Sequence, residues 1–378
     1  DNRLWEISAT GSNLHQLLPD WHIPAWKCCG RWTLDGKFYL FLSSASGSTG
    51  GQIWALDERR RLFRNQPAEP VQLTTGPVGW SWPIPGKDGK TIFSEGVRLH
   101  GELVRLDTRT SQYQPFLDGV SAESVSFSND GKLVAYVTFP DGNLWRANRD
   151  GSDRRQLSGV PLHPLMPRWS PDNKQIAFME VNLPGPNQSY IVASDGGSPQ
   201  KLLPDDKGLE GDPNWSPDGS KIVFTAGSPG DRQKQYLSLL DLATHKVTTV
   251  PGSDGKWSPR WSPDGGYISA LSSDVPSRLK IFNTATQQWS ALSPKGDINY
   301  TTWSSDNKFI YYLHLSGGDR GVFRIRVTGG EAERIADLKD WHLAGHYGFW
   351  MGLDPTDAPL LLRDTASDDI YALTLEEK

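Results

Sequence analysis

Four histidines stand in short segments that precede strand-like runs: His22, His163, His342 and His346. Imidazole nitrogens are common ligands of zinc and other divalent metals. Convergence of these side chains would therefore create a metal centre for lyase or hydrolase chemistry. The pair His342 and His346 has a spacing that suits zinc only on a helix, and Gly345 beside an aromatic loop argues against a helix there. These histidines define the enzymatic hypothesis for the chain.

Motifs of other enzyme classes are missing from the sequence. It contains no Gly-x-Ser-x-Gly nucleophile elbow, no Gly-x-Gly-x-x-Gly or P-loop, and no His-Glu-x-x-His. Asp-Gly turns such as the one at residues 150–153 lack the Asp-x-Asp-x-Asp-Gly pattern of calcium loops. We predict no cofactor, and a structural or channel cation is the one exception left open. The sequence favours a non-catalytic protein over an enzyme.

Charge and hydropathy exclude two classes of partner. The net charge is −5, with 39 Lys and Arg against 44 Asp and Glu. The longest basic run, at residues 59–61, is flanked by Asp57 and Glu58, which is typical of a solvated loop. We therefore expect no direct binding of nucleic acid. No stretch of 18 apolar residues occurs, so the sequence predicts no membrane insertion.

The two cysteines, Cys28 and Cys29, are adjacent. Neighbouring cysteines rarely bridge each other, so we expect two small side chains at the start of a strand and no disulfide. A metal site would need further Cys or His at ligand spacing, and the flanking sequence lacks them. Cysteine usage leaves the cellular compartment open.

A repeated pentapeptide organises the chain. Trp-Ser-Pro-Asp-Gly stands at Trp215–Gly219 and again at Trp261–Gly265, and degenerate copies share the same frame. The anchor positions, at which the Trp stands in the full motif, are 32, 85, 127, 169, 215, 261, 303 and 353. Self-similarity at about 40–50 residues indicates a repeat architecture built from one supersecondary unit.

Each repeat predicts four short strands. Ser-Pro-Asp-Gly forms a turn, because Pro presets φ while Asp and Gly tolerate the remaining turn positions. Alternating apolar runs such as Lys221–Phe224 follow as second strands, and runs such as Leu237–Leu240 follow as third strands. Four-stranded antiparallel blades repeated eight times predict an all-β, eight-bladed β-propeller. We expect the anchor Trp to fill the wedge between neighbouring blades.

The two ends of the chain predict how the ring closes. Leu4–Ile7 reads as a third strand whose own anchor would lie upstream, and Ile370–Leu373 reads as the third strand after anchor 353. We therefore predict a single propeller domain over residues 1–378, with N- and C-terminal strands completing one blade. One third-strand motif is in surplus, so one of these two must sit irregularly. A start inside a repeat predicts a fragment of a longer protein.

The Trp-Ser-Pro-Asp-Gly turn, the Ile-x-Phe strand and the later Ile-Tyr-x-x-x-x-Asp-Gly pattern resemble the TolB-type, WD-repeat-like β-propeller family. Segments Leu4–Leu18, Cys28–Thr33 and Ala358–Asp364 further resemble the C-terminal propeller of bacterial winged-helix transcriptional regulators. This resemblance implies a sensory or interaction domain of a larger bacterial regulatory protein. It also implies a periplasmic or other extracytoplasmic location, with a cytoplasmic one left open.

The loops before each anchor are the least repetitive part of the units, and they carry the candidate site. In a propeller such loops rim the central channel, and aromatic side chains with a polar handle are enriched in recognition surfaces. We predict that a protein, peptide or glycan binds this rim of a monomeric domain. The candidate residues are Trp21, His22, Trp26, Trp80, His163, Asp212, Trp257, Tyr300, Trp341, His342, His346 and Tyr347.

Overall fold

A computed structural model describes residues 4–19, 21, 27–43, 50–57, 69–182, 185–228, 230–292 and 297–375. Within these ranges the chain is built of β-strands, with short 3-10 turns at Leu117–Gly119 and Arg232–Lys234. No helix in this described part is long and apolar enough to cross a membrane. The chain forms two compact units, Asp1–His100 with Thr365–Lys378, and Gly101–Asp364.

The described part of the first unit contains three antiparallel sheets. A two-stranded sheet pairs β1 (Leu4–Glu6) with β2 (His15–Leu17). A four-stranded sheet has the order β3 (Lys27–Trp32), β4 (Phe38–Ser43), β5 (Gln52–Asp57) and β6 (Val71–Gln72). A three-stranded sheet has the order β7 (Gly79–Pro85), β8 (Thr91–Arg98) and β33 (Ser367–Thr374).

The second unit contains six four-stranded antiparallel sheets in its described residues. One sheet has the order β10 (Gln112–Pro115), β9 (Gly101–Asp107), β32 (Pro359–Asp364) and β31 (Met351–Leu353). The other five follow chain order: β11–β14 (Ala122–Phe127, Leu133–Thr138, Leu144–Asn148, Arg155–Ser158), β15–β18 (Pro164–Trp169, Gln175–Glu180, Gln188–Ala193, Gln200–Lys201), β19–β22 (Gly211–Trp215, Lys221–Gly227, Gln235–Asp241, Val247–Thr249), β23–β26 (Lys256–Trp261, Tyr267–Ser272, Leu279–Asn283, Gln288–Ala291) and β27–β30 (Asn299–Trp303, Phe309–His314, Gly321–Arg326, Glu333–Asp337).

In each of these six sheets, the edge strand that ends at an anchor residue is called the inner strand. The inner strands are β11, β15, β19, β23, β27 and β31. Each contacts the next inner strand along the chain, and β31 contacts β11. The second unit is therefore a closed propeller of six blades. Each second strand is buried along most of its length, because neighbouring blades cover both of its faces. That arrangement explains why these strands are almost continuously apolar.

The prediction that N- and C-terminal strands close the ring is wrong. The blade that contains anchor 353 takes its third strand from Gly101–Asp107, which pairs with Pro359–Asp364, and not from the chain termini. Ile370–Leu373 lies in β33 and pairs with β8, in the blade of anchor 85. Among the described strands, Leu4–Glu6 pairs with His15–Leu17. The third strands of two repeats are thus exchanged, and the closed ring has six blades where the repeat count predicts eight.

Three anchor tryptophans of the second unit fill the wedge between blades, as predicted, whereas the anchor Trp32 of the first unit is 44 % exposed. Trp169, Trp215 and Trp303 are at most 8 % exposed, and each packs in a core cluster. Each indole also donates a hydrogen bond to the preceding inner strand. Trp215 Nε1, for example, lies 3.1 Å from the carbonyl oxygen of Arg168. The repeat therefore ties every such blade to its neighbour with both apolar surface and a hydrogen bond.

The Ser and Asp of the motif form the turn itself. In the blade of Trp215, Ser216 Oγ donates to Asp218 Oδ1 at 2.6 Å, and the amide of Lys221 donates to Ser216 Oγ at 2.9 Å. The bond from Ser216, together with bonds from Ser220, lowers the pKa of the Asp218 carboxyl, because such bonds favour its ionised form. The same Ser–Asp pair recurs at five other anchors, with Thr33 replacing Ser in one of them. The motif is structural.

Replacing Trp215 by phenylalanine is expected to lower the free energy of unfolding by about 2 kcal/mol, because it removes the hydrogen bond to Arg168 and some buried volume. Chemical denaturation would measure the loss. Trp261→Phe is the matched control, since Trp261 Nε1 has no hydrogen-bond partner in the structure. Equal losses in both variants would contradict a role for the inter-blade hydrogen bond.

Cys28 and Cys29 are joined by a disulfide, so the expectation of two unbridged side chains is wrong. Both lie in β3, where the register with β4 shifts between Cys28 and Arg31 and Cys29 adopts a φ of +61°. A regular strand would place successive side chains on opposite faces of the sheet. The bulge breaks that alternation and lets the two sulfur atoms meet.

Candidate functional site

Five inner strands of the second unit carry a β-bulge that directs a side chain towards the centre of the ring. The register shifts two to three residues before each anchor, and one residue in each bulge has a left-handed φ between 45° and 56°. Such conformations are strained for residues other than glycine and concentrate at functional sites. These bulge residues are Ser124, Met166, Asp212, Ser258 and Tyr300.

Two cavities lie along the centre of the ring. The turn-side cavity, of about 630 Å³, is lined by residues of all six inner strands and by the Ser-Pro turns that follow them. The loop-side cavity, of about 290 Å³, is lined by residues at the beginnings of the inner strands and by the loops that precede them. Met166, Arg260 and Tyr300 line both cavities, so a single belt of side chains separates them.

A buried ion pair forms the centre of this belt. Asp212 Oδ2 lies 2.7 Å from Arg260 Nη1 and accepts a hydrogen bond from Ser258 Oγ, also at 2.7 Å. Arg168 Nη2 is 4.0 Å from Asp212 Oδ1. Burial and the positive charge of Arg260 lower the pKa of Arg168 to about 10, so the guanidinium of Arg168 remains charged at neutral pH. Two arginines thus share one aspartate.

Aromatic side chains surround the loop-side cavity. We call Trp257, Tyr300, Tyr347 and Phe349 the aromatic mouth. The Tyr300 and Phe349 rings meet edge to face with centroids 5.7 Å apart. The guanidinium of Arg232 stacks on Trp257 at 4.2 Å from the ring centroid. Tyr347 is 45 % exposed, so a large aromatic surface stands at the opening of a cavity with charged walls.

A second buried carboxylate lies beside this site. Glu123 is 2 % exposed, and its Oε1 accepts a hydrogen bond of 2.7 Å from the amide of His346. Burial raises the pKa of Glu123 to about 7. Burial and the nearby His163 lower the pKa of His346, so its imidazole is neutral at neutral pH. His163 therefore lies within electrostatic range of His346, and the convergence of the histidines on one site stays a prediction.

The predicted site residues separate into three groups. Asp212, Trp257, Tyr300 and Tyr347 line one cavity, with His163 and His346 near it. Trp341 instead packs against Tyr113 and lies under Arg363, and exposed His342 is in the same segment. Trp21 and Trp80 belong to the first unit, where they pack on Trp54 and Tyr371. His22 and Trp26 lie outside the described residues.

Several residues of the belt were missed by the sequence analysis. Arg168 and Arg260 immediately precede anchor tryptophans, in two copies of Pro-Arg-Trp-Ser-Pro, and the repeat was interpreted as purely structural. Glu123 and Ser124 precede anchor 127 by four and three residues, and they lie where the register between β11 and β12 shifts. Comparison of these positions across the anchors would have shown that their residue types vary while the turn stays constant.

The metal hypothesis requires at least three converging ligands. Across the described ranges, no group of three or more His, Cys, Asp or Glu side chains is placed to hold a metal ion. His163 lies within electrostatic range of His346, whereas His342 is exposed in the segment that packs on Tyr113. The described centre of the ring carries the Asp212–Arg260 ion pair and the aromatic mouth.

Comparison with known proteins supports a TolB-type β-propeller. Residues 120–238 match the family model of the TolB beta propeller domain. A curated protein of Bacillus subtilis (strain 168), the uncharacterized peptidase YuxL, is 26 % identical over 148 residues. That match covers 39 % of this chain and 21 % of the curated protein, so the chain matches about a fifth of its length.

Solved structures show the same fold at low sequence identity. A TolB protein of Agrobacterium tumefaciens superimposes with a TM-score of 0.57 and 18 % identity, over 70 % of this chain and 98 % of that protein. TolB of Acinetobacter baumannii superimposes with a TM-score of 0.51 and 14 % identity, over 92 % and 81 % of the two chains. These similarities establish a TolB-like propeller fold.

Proposed function

We propose that this chain is a non-catalytic binding propeller whose partner docks at the aromatic mouth. The loop-side cavity carries this proposal. It combines exposed aromatic surface with a buried ion pair on strained inner strands, the composition of a recognition site. Its volume of about 290 Å³ is at the lower end of small-molecule pockets. A cavity of this size suits one inserted side chain of a peptide or protein.

The proposed biological role is that of a sensory or interaction domain in a larger bacterial regulatory protein. Resemblance to the propellers of winged-helix regulators supports this role, and the TolB-like fold supports a location outside the cytoplasm. The disulfide between Cys28 and Cys29 is consistent with an oxidising compartment, because cytosolic thiols are normally kept reduced. The partner is expected to meet a monomeric domain.

Binding is a better proposal than catalysis for this geometry. A metal-dependent lyase or hydrolase needs a set of ligands, and His163 with His346 supplies two imidazoles without a third group in the described residues. Asp212 is committed to Arg260 and Ser258, so it is poorly suited to act as a general base. A recognition site needs neither a third metal ligand nor a general base.

Peptides selected from a random library on the immobilised chain would test the proposal. Replacing Trp257 and Tyr347 by alanine together is expected to weaken the selected peptides at least tenfold, because aromatic anchors dominate such interfaces. Isothermal titration calorimetry would measure the change. Trp82→Ala, which removes a 59 % exposed aromatic side chain of the first unit, is the matched control. Unchanged affinity in the double variant would contradict the proposal.

A further inference from the structure

We infer that the turn-side cavity contains a binding site for a compact oxyanion, a carboxylate or phosphate group, held by Arg168 and Arg260. Both arginines come from inner strands and line this cavity. Three hydroxyl-bearing side chains, Ser124, Tyr300 and Thr301, line it as well. The site faces the turn-side cavity, whereas Trp257 and Tyr347 of the aromatic mouth line the loop-side cavity, and Arg260 and Tyr300 line both.

The charge balance of the belt favours an anion. Arg168 and Arg260 are close enough for the charge of one to lower the pKa of the other, and Asp212 is the carboxylate between them. One carboxylate leaves the two guanidinium groups with a surplus positive charge in a largely buried position. A buried charge that lacks a partner is unfavourable, and a bound anion would compensate it. A metal cation would increase the repulsion.

The other carboxylates near the cavity form no ion pair with Arg168 or Arg260 in the described residues. Asp354 lines it, but its Oδ2 pairs with Arg105 Nε at 2.6 Å. Asp357 also lines it and accepts hydrogen bonds from the amide and the hydroxyl of Ser305, at 2.8 Å and 3.0 Å. Glu123, which influences Tyr300 electrostatically, accepts the amide of His346 through Oε1, and its Oε2 has no hydrogen-bond partner in the structure. None of these groups replaces an anion at the two arginines.

The hydroxyl groups supply a second, independent indication. Ser124 is 1 % exposed and Thr301 is 3 % exposed, yet neither side-chain oxygen has a hydrogen-bond partner in the structure. The Tyr300 hydroxyl and Arg260 Nε are buried and unpartnered as well. Buried polar groups are normally satisfied, and unsatisfied ones require an explanation. All four atoms can donate hydrogen bonds, whereas an oxyanion only accepts them, so their chemistry matches.

Binding of inorganic phosphate, sulfate and citrate to the full chain tests this inference. Calorimetry in a buffer of constant ionic strength should show saturable binding of at least one of them. Phosphate without citrate would identify a phosphate site, and citrate without phosphate would identify a carboxylate site. Binding should fall at least tenfold in Arg168→Gln and at least threefold in Thr301→Val, which retains the side-chain shape. Absence of saturable binding of all three anions would overturn the inference.

Control variants separate this site from others. Arg109→Gln removes an exposed arginine and should leave binding unchanged. The double alanine variant of Trp257 and Tyr347 should bind anions normally, because those residues line the other cavity. If Thr301→Val folds and binds as tightly as the original chain, water satisfies the hydroxyls and the inference is wrong. Failure of peptide binding would leave this result untouched, so the two proposals are tested separately.

Discussion

Replacing Asp212 by alanine is expected to lower the free energy of unfolding by about 3–5 kcal/mol, one of the largest effects of any single change in this chain. The substitution removes the carboxylate that Arg260 contacts at 2.7 Å and leaves two guanidinium groups facing each other. Arg260 is 5 % exposed, so solvent cannot compensate its charge. Urea denaturation followed by tryptophan fluorescence at neutral pH would measure the loss.

Two further variants identify the charge as the cause. Asp212→Asn retains the shape of the side chain and an oxygen for the hydrogen bond from Ser258. The decrease in unfolding free energy of this variant therefore measures the electrostatic contribution of the carboxylate. Replacing Asp212 and Arg260 together by leucine removes both charges, and we expect the double variant to recover part of the stability. A loss below about 1 kcal/mol in Asp212→Ala would show that the pair is insignificant.

The strands of the repeats could be predicted because their signals are local. The run Lys221–Phe224 lies in a strand that the structure extends to Gly227, and the predicted Ser-Pro-Asp-Gly turn precedes it. Strand exchange could not be predicted in this way. Gly101–Asp107 and Ser367–Thr374 have the same apolar alternation, and their partners lie more than 250 residues away from them in the chain. Local patterns do not distinguish such long-range pairings.

The candidate site could be predicted only in part for a similar reason. Residue type and loop position predicted a recognition role for Trp257, Tyr300 and Tyr347, and these three side chains line one cavity. Trp341 has the same type and lies in another such loop, yet it packs on Tyr113. Arg168 and Arg260 could not be predicted, because the direction of their side chains depends on the bulge. In a regular strand, successive side chains point to opposite faces of the sheet. A bulge changes the face to which the side chains after it point.

Replacing Glu123 by glutamine is expected to stabilise the chain at pH 8 by about 3 kcal/mol and to leave its stability nearly unchanged near pH 4. Burial raises the pKa of Glu123 from 4.5 to about 7. The folded chain therefore binds a proton that the unfolded chain has already released between those pH values. This contribution to stability is complete below pH 4.5 and is lost as the pH rises through 7. Glutamine stays neutral and keeps an oxygen for the amide of His346.

The difference in unfolding free energy between variant and original chain, measured at each pH from 4 to 8, is the appropriate quantity. It cancels the opposite contribution of His346, whose lowered pKa stabilises the fold at high pH and not at low pH. Glu210→Gln should change stability in the same direction and in the same range, because burial also raises the pKa of Glu210 to about 7. Glu331→Gln, at an exposed position, should have no effect. A constant difference across this range for Glu123→Gln would mean that its carboxyl is not protonated in the fold.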